Sequence, residues 1–222
     1  MKLSISNIGW SENEDNTVYQ LMKKYGYSGL EIAPTRIFPV SPYDKLEEAN
    51  AWGVELNKDY EFHVPSMQSI WYGHQEKIFG TEEERQILID YTKKAIDFAH
   101  VIGCRNLVFG CPKNRVFPEG TDDIIAILFF KELGDYALSK GTVIGMEANP
   151  QIYNTNYIND TISALRLIRE VNSDGFKLNL DVGTMIFNGE CSRELIGNVK
   201  YINHVHISEP FLKPIVEREL HS

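Results

Sequence analysis

The chain has 222 residues, 43% of them hydrophobic and 24% charged, which fits one globular domain with a sizeable core. Its formal net charge of −9 argues against nucleic acid and anionic membrane surfaces, both of which are held through Lys and Arg. There is no apolar leader with a small-residue cleavage site and no run of ~18 apolar residues, and the three cysteines lack CxxC spacing, so a cytoplasmic protein is expected.

In chain order, Leu3–Ile8, Gly29–Ala33 and Tyr60–Val64 read as strands, short and apolar with turn residues behind them. A helix is predicted over Thr81–Gly103. Thr81 and Glu84 stand at capping-box spacing, and Ile87, Tyr91, Ala95, Phe98 and Ile102 recur at helical intervals. Strand Asn106–Gly110 follows, then helix Asp122–Lys140 with Gly141 as its stop. Strand Val143–Glu147, helix Asp160–Val171 and strands Lys177–Asp181 and Ile202–Ile207 complete the alternation. After the last strand there is room for a loop and a short helix, Pro214–Leu220.

Strands separated by helices imply right-handed βαβ units and a parallel sheet. No Gly-rich fingerprint follows the first strand, so the expected fold class is α/β, a (β/α)8 TIM-type barrel forming one domain over residues 1–222. About seven strands are counted and the eighth βα unit is missing. The barrel is then open, truncated, or closed by another subunit.

The polar residues gather at one place. Glu31, His63, Lys113, Arg115, Glu147, Asp181 and His206 all fall at or just beyond the C-terminal end of a predicted strand, the rim where such barrels keep their active sites. Glu147 and Asp181 terminate apolar runs, where an acid is costly to bury unless it is paired or metal-bound. His204 and His206 share one face of their strand. Two carboxylates and an imidazole suit Mn²⁺, Mg²⁺, Co²⁺ or Zn²⁺. Each residue also has a plainer reading: Glu147 in an ion pair, Asp181 capping a loop or helix, His204 as a hydrogen-bonded core histidine.

The runs Glu147-Ala-Asn-Pro150, Leu180-Asp-Val-Gly183 and His204-Val-His-Ile-Ser-Glu-Pro210 resemble the xylose-isomerase-like barrel superfamily of sugar phosphate isomerases and epimerases. Leu107-Val-Phe-Gly-Cys-Pro-Lys-Asn-Arg115 and Ser66-Met-Gln-Ser69 are similar to segments of its bacterial members. The resemblance implies a divalent-metal-dependent isomerase or epimerase acting on a sugar, sugar phosphate or polyol through an enediolate-type intermediate. It implies Glu147, Asp181 and His206 as metal ligands, with Glu147 also the catalytic acid/base. The family's strand-eight Glu, the second base of its epimerases, has no counterpart, and Thr184 stands where several sugar epimerases carry a His.

Around these, Glu31, His63, Gln68, Lys113, Arg115, Asn149, Tyr153 and Glu209 are candidate substrate contacts. Lys113 and Arg115 either grip a phosphate or carboxylate or pair with Glu31 or Glu147. Trp10, Trp71 and Tyr72 are candidate pocket walls. Two other functions stand beside the enzyme. One is a non-catalytic barrel that binds a sugar-like ligand or partner chain, with a homodimer covering its open edges. The other is an abasic-site endonuclease, disfavoured by the charge and by only six histidines.

Overall fold

The computed structural model describes residues 2–215. β1 (Ser4–Ser6) pairs in parallel with β2 (Gly29–Glu31). A second parallel sheet runs in the order β3 (Leu107–Phe109), β4 (Ile144–Glu147), β5 (Phe176–Asp181) and β6 (Ile202–His206). The helices are α1 (Asp15–Lys24), α2 (Pro34–Ile37), α3 (Leu46–Tyr60), α4 (Glu82–Val101), α5 (Ile124–Ser139), α6 (Thr161–Val171) and α7 (Val182–Asn188).

The helix starts are chemically explicit. Thr81 Oγ1 accepts from Glu84 N at 3.2 Å and Glu84 Oε2 accepts from Thr81 N at 2.8 Å, so two otherwise orphaned amides at the head of α4 are satisfied. Asp160 does the same for α6, accepting from Ser163 N at 2.7 Å. The helices lay apolar faces on the sheet. Phe130 of α5 is fully buried, stacks on Phe176 of β5 (centroids 4.8 Å apart) and meets Phe109 of β3 edge-on at 4.9 Å. β2 and β3 are buried along their whole length, as strands covered on both faces must be.

The expected third strand, Tyr60–Val64, is not a strand. Tyr60 closes α3, and Glu61 takes a left-handed conformation with φ of 61°. From Phe62 the chain makes only isolated bridges, His63 with Gly29 and Met67 with both Ile32 and Leu107. Pro65 lies between them and has no amide proton to give a ladder. The bridges still join the two sheets. Leu30 N donates to His63 O and Gln68 N to Ile32 O on one side, while Met67 N donates to Asn106 O and Val108 N to Met67 O on the other.

The barrel wall therefore runs β1, β2, segment 62–68, β3, β4, β5, β6. Among the described residues no strand follows β6, and β6 and β1 stand as open edges. The first strand is shorter than expected because Asn7–Gly9 coils into a 3₁₀ turn. Of the expected helix Pro214–Leu220, Pro214 and Ile215 are irregular and 216–220 lie outside the described residues. Parallel register brings Glu31, Gln68, Glu147, Asp181 and His206 to the same end of the wall.

Candidate metal centre

Alternation along β5 puts Asn179 and Asp181 on one face, and along β6 it does the same for His204 and His206. The register sets Asp181 beside His206 and Glu147 beside Asn179. One ligand atom from each of Glu147, Asp181 and His206 lies within 4.8 Å of the others. A cavity of about 370 Å³ opens onto the three, walled in part by Gln68, Trp71, Tyr72, Asn149, Tyr153 and Glu209.

Each side chain of the cluster is held. His206 Nδ1 lies 2.8 Å from Glu147 Oε1 and its Nε2 2.9 Å from Glu31 Oε2, so the ring bridges two carboxylates. Burial opposes charge on the ring, but the hydrogen bonds and charges of Glu147 and Glu31 outweigh it and push its pKa up to about 11. Glu147 Oε1 also accepts from Asn179 Nδ2 at 2.8 Å, whereas Oε2 has only Asn149 Nδ2 at 3.4 Å. Oε2 is thus the freer oxygen. Gly110 faces it, and a Cβ there would sit 3.1 Å away, so glycine keeps that side open.

Asp181 caps α7, accepting from Thr184 N at 3.0 Å and lying 2.8 Å from Thr184 Oγ1, with Ser208 Oγ donating to its other oxygen. Ser208 is placed by the close approach of Gly183, whose amide donates to Ser208 Oγ and where an added Cβ would lie 2.3 Å from that oxygen. Burial, then the neighbouring Glu147, raise the Asp181 pKa. Beneath the cluster runs a line of amides. Asn203 donates to Asn106, Asn106 to Asn179, and Asn179 to Glu147.

The donor set tests well against a divalent cation. Two half-buried carboxylates face each other, and among the described residues neither is paired with a lysine or arginine. Such a pair gains most from a bound cation. A second grouping, Glu31, His204 and His206, also comes within 4.8 Å but shares His206 with the first.

The other expected site residues divide. Gln68, Asn149, Tyr153 and Glu209 line the cavity. Glu31 is 4% exposed and lies behind His206, taking Gln68 Nε2 on its other oxygen at 2.9 Å. The His206 contact and charge, with Ser66 and His204, overcome its burial and lower its pKa. Three of the expected substrate contacts stand outside the cavity lining. His63 pairs with Gly29, at the opposite end of the strands from Glu31, because the rim is reached five residues later, at Gln68. Lys113 is exposed outside the cavity, its carbonyl accepting from Lys77 Nζ.

Arg115 is fully buried and reaches neither solvent nor a carboxylate. Its guanidinium donates to Glu147 O at 2.9 Å, Asn149 Oδ1 at 2.8 Å and Ile158 O at 3.3 Å, and burial lowers its pKa to about 10. It therefore braces the β4 end from within. Trp71 and Tyr72 do wall the cavity, whereas Trp10 lies outside it, bonded to Asp15. Asn179, Thr184 and Ser208 were missed as partners of the ligands. Asn179 was within reach of the reading, since it shares the face of Asp181 two residues on.

A family model described as "Xylose isomerase-like TIM barrel" matches residues 19–220. Among curated protein sequences none matches the chain. Solved structures do. The chain superposes on a 3-keto-D-glucoside 4-epimerase from E. coli with a TM-score of 0.73 at 19% identity, covering 95% of this chain and 80% of that one. A D-psicose 3-epimerase with D-tagatose from Clostridium cellulolyticum H10 gives 0.74 at 15%, covering 94% and 73%. A probable 3-DHS dehydratase from Bacillus anthracis gives 0.67 at 15%, covering 99% and 78%. At these identities the likeness is one of fold, and the fold carries more than one reaction.

Proposed function

This chain belongs to the xylose isomerase-like TIM barrel family, and from that premise we propose that it is a divalent-metal-dependent isomerase or epimerase of a sugar, sugar phosphate or related polyol. The observation that carries the proposal is the meeting of Glu147, Asp181 and His206 at the cavity floor. Glu147, Asp181 and His206 would hold the cation. When bound it supplies a Lewis acid that polarises the substrate carbonyl and stabilises an enediolate-type intermediate.

The remaining chemistry belongs to the side chains. Glu147 keeps Oε1 tied to His206 and Asn179 and leaves Oε2 the freer oxygen, beside the cavity-lining Gly110 and Asn149, the arrangement of a carboxylate that takes a proton from substrate carbon and returns it. Asp181 is held from three sides and serves as a fixed ligand. Gln68, Asn149, Tyr153 and Glu209 offer polar contacts to sugar hydroxyls, and Trp71 and Tyr72 offer aromatic surface. The similar structures of D-psicose 3-epimerases with D-tagatose and in the presence of D-fructose support this substrate class.

Elemental analysis tests the centre. The purified protein is expected to carry near-stoichiometric Mn, Zn, Co or Fe, and Asp181→Ala to lose it. Glu147→Ala is expected to lower turnover, read as solvent-deuterium incorporation into a ketose, by about 10²–10⁴-fold. A Glu147→Ala protein that keeps its turnover would overturn the assignment.

The open edges support a finer reading of partners, a homodimer that covers β1 and β6. Ile5, Val205 and Ile207 are 38%, 46% and 57% exposed along those edges.

A further inference from the structure

Glu31 lies outside the cavity wall, although it stands at the same rim as the ligands and the sequence marks it as a sugar contact. Its side chain is 95% removed from solvent and every direction around it is taken. Gln68 Nε2 donates to Oε1 at 2.9 Å, and His206 Nε2 lies 2.9 Å from Oε2, with His204 Nε2 3.7 Å from the same oxygen. A sugar hydroxyl would have to displace one of these partners.

The two ring nitrogens of His206 are not equivalent. Nδ1 looks toward Glu147 and the cavity, and Nε2 looks away from it toward Glu31. A carboxylate is an acceptor only, so with no cation present both ring nitrogens face acceptors and both carry protons. A cation among Glu147, Asp181 and His206 would take the place of the proton on Nδ1, the nitrogen on the ligand side, while Nε2 keeps its proton on Glu31, which is not one of those ligands.

We propose that Glu31 is a positioning residue that fixes the tautomer and ring orientation of His206, so that Nδ1 rather than Nε2 is offered to the divalent cation. Gln68, and through it the segment that joins the two sheets, sets Glu31 in turn. The inference rests on the metal-centre reading above and assigns Glu31 a role within it. The geometry also decides between the two possible ligand groupings. Glu31, His204 and His206 could gather an ion only through His206 Nε2, the nitrogen that Glu31 keeps protonated when Nδ1 serves Glu147 and Asp181. The two sites compete for one ring, and the one open to the cavity is the one with two carboxylates.

The test uses the full chain and Zn²⁺ or Mn²⁺ alone. In a long-range ¹H–¹⁵N spectrum of histidine-labelled protein loaded with Zn²⁺, with His206 assigned by comparison with His204→Gln, Nδ1 is expected in the metal-bound range and Nε2 protonated. Titration calorimetry with Mn²⁺ is expected to show Glu31→Gln binding about 10–100-fold more weakly than wild type while its circular dichroism is unchanged. Coordination through Nε2, or an unchanged Mn²⁺ affinity in folded Glu31→Gln, would overturn the positioning role and leave the metal centre standing. Absence of stoichiometric binding in the wild type would overturn both. The wild-type spectrum needs no variant, so a Glu31→Gln protein that fails to fold still leaves a deciding measurement.

Discussion

The β3–β5 side of the barrel and the β6–β1 side hold their functional residues by different means. On the first, Glu147 and Asp181 end strands packed on both faces, over Phe109, Phe130 and Phe176. On the second, β6 alternates between half-buried and exposed positions, with no neighbour on its outer side among the described residues. His206 therefore depends on hydrogen bonds to Glu147 and Glu31, where Glu147 can depend on a core. A centre assembled across the two sides is as rigid as its more lightly packed half.

That contrast can be pressed by mutation. Phe130→Ala removes a fully buried ring from the packed side and is expected to cost about 3–5 kcal/mol of unfolding free energy in urea titration. A loss under about 1 kcal/mol would mean that the two sides are not packed so differently. Gly183→Ala lies at the junction, where its Cβ would drive Ser208 off Asp181. About 1–3 kcal/mol of destabilisation is expected together with weaker metal binding, read by calorimetry. Val205→Asp, at an exposed position on the edge strand, is expected to change monomer stability by no more than about 0.5 kcal/mol yet to dissociate the proposed homodimer in sedimentation. A Val205→Asp protein with unaltered sedimentation would sink the edge-to-edge dimer.

The smallest effect concerns pH. Burial, and then Lys2, lower the pKa of His63, so its folded state prefers the neutral ring. A folded pKa below the unfolded value gives stability that is present above about pH 6.5 and is lost as pH falls through the folded pKa. Wild type is expected to lose more stability than His63→Asn between pH 6.5 and 5, in thermal melts with metal content held fixed. Equal slopes would show that His63 is not differentially charged.

The ends of β4, β5 and β6 were legible because an acid or histidine closing an apolar run is costly without a partner, and because period-two alternation names the face it shares. The segment after α3 was not legible in the same way. Pro65 breaks the ladder and moves the rim from His63 to Gln68, a shift that apolar patterning does not record. Arg115 escaped for another reason. A guanidinium buried on carbonyl and amide oxygens, without a carboxylate, runs against the ordinary expectation for charge, and only the fold shows that its work is to brace the Glu147 carbonyl. The caps at Thr81 and Asp160 were plain from spacing, since their chemistry is local.

Segment 62–68 is the hinge pin of the wall, and the Glu31–His206 contact is a chord strung across the interior from one sheet to the other. Glu147, Asp181 and His206 all belong to the larger sheet, so an ion among them would tighten that sheet directly and reach β2 through Glu31. The chord lies beside the longer His204–Glu31 contact of 3.7 Å and above the core that Leu30 and Ile32 share with Leu107 and Ile144. The imidazole is therefore the joint at which the two sheets meet across the interior, and its orientation is set by both.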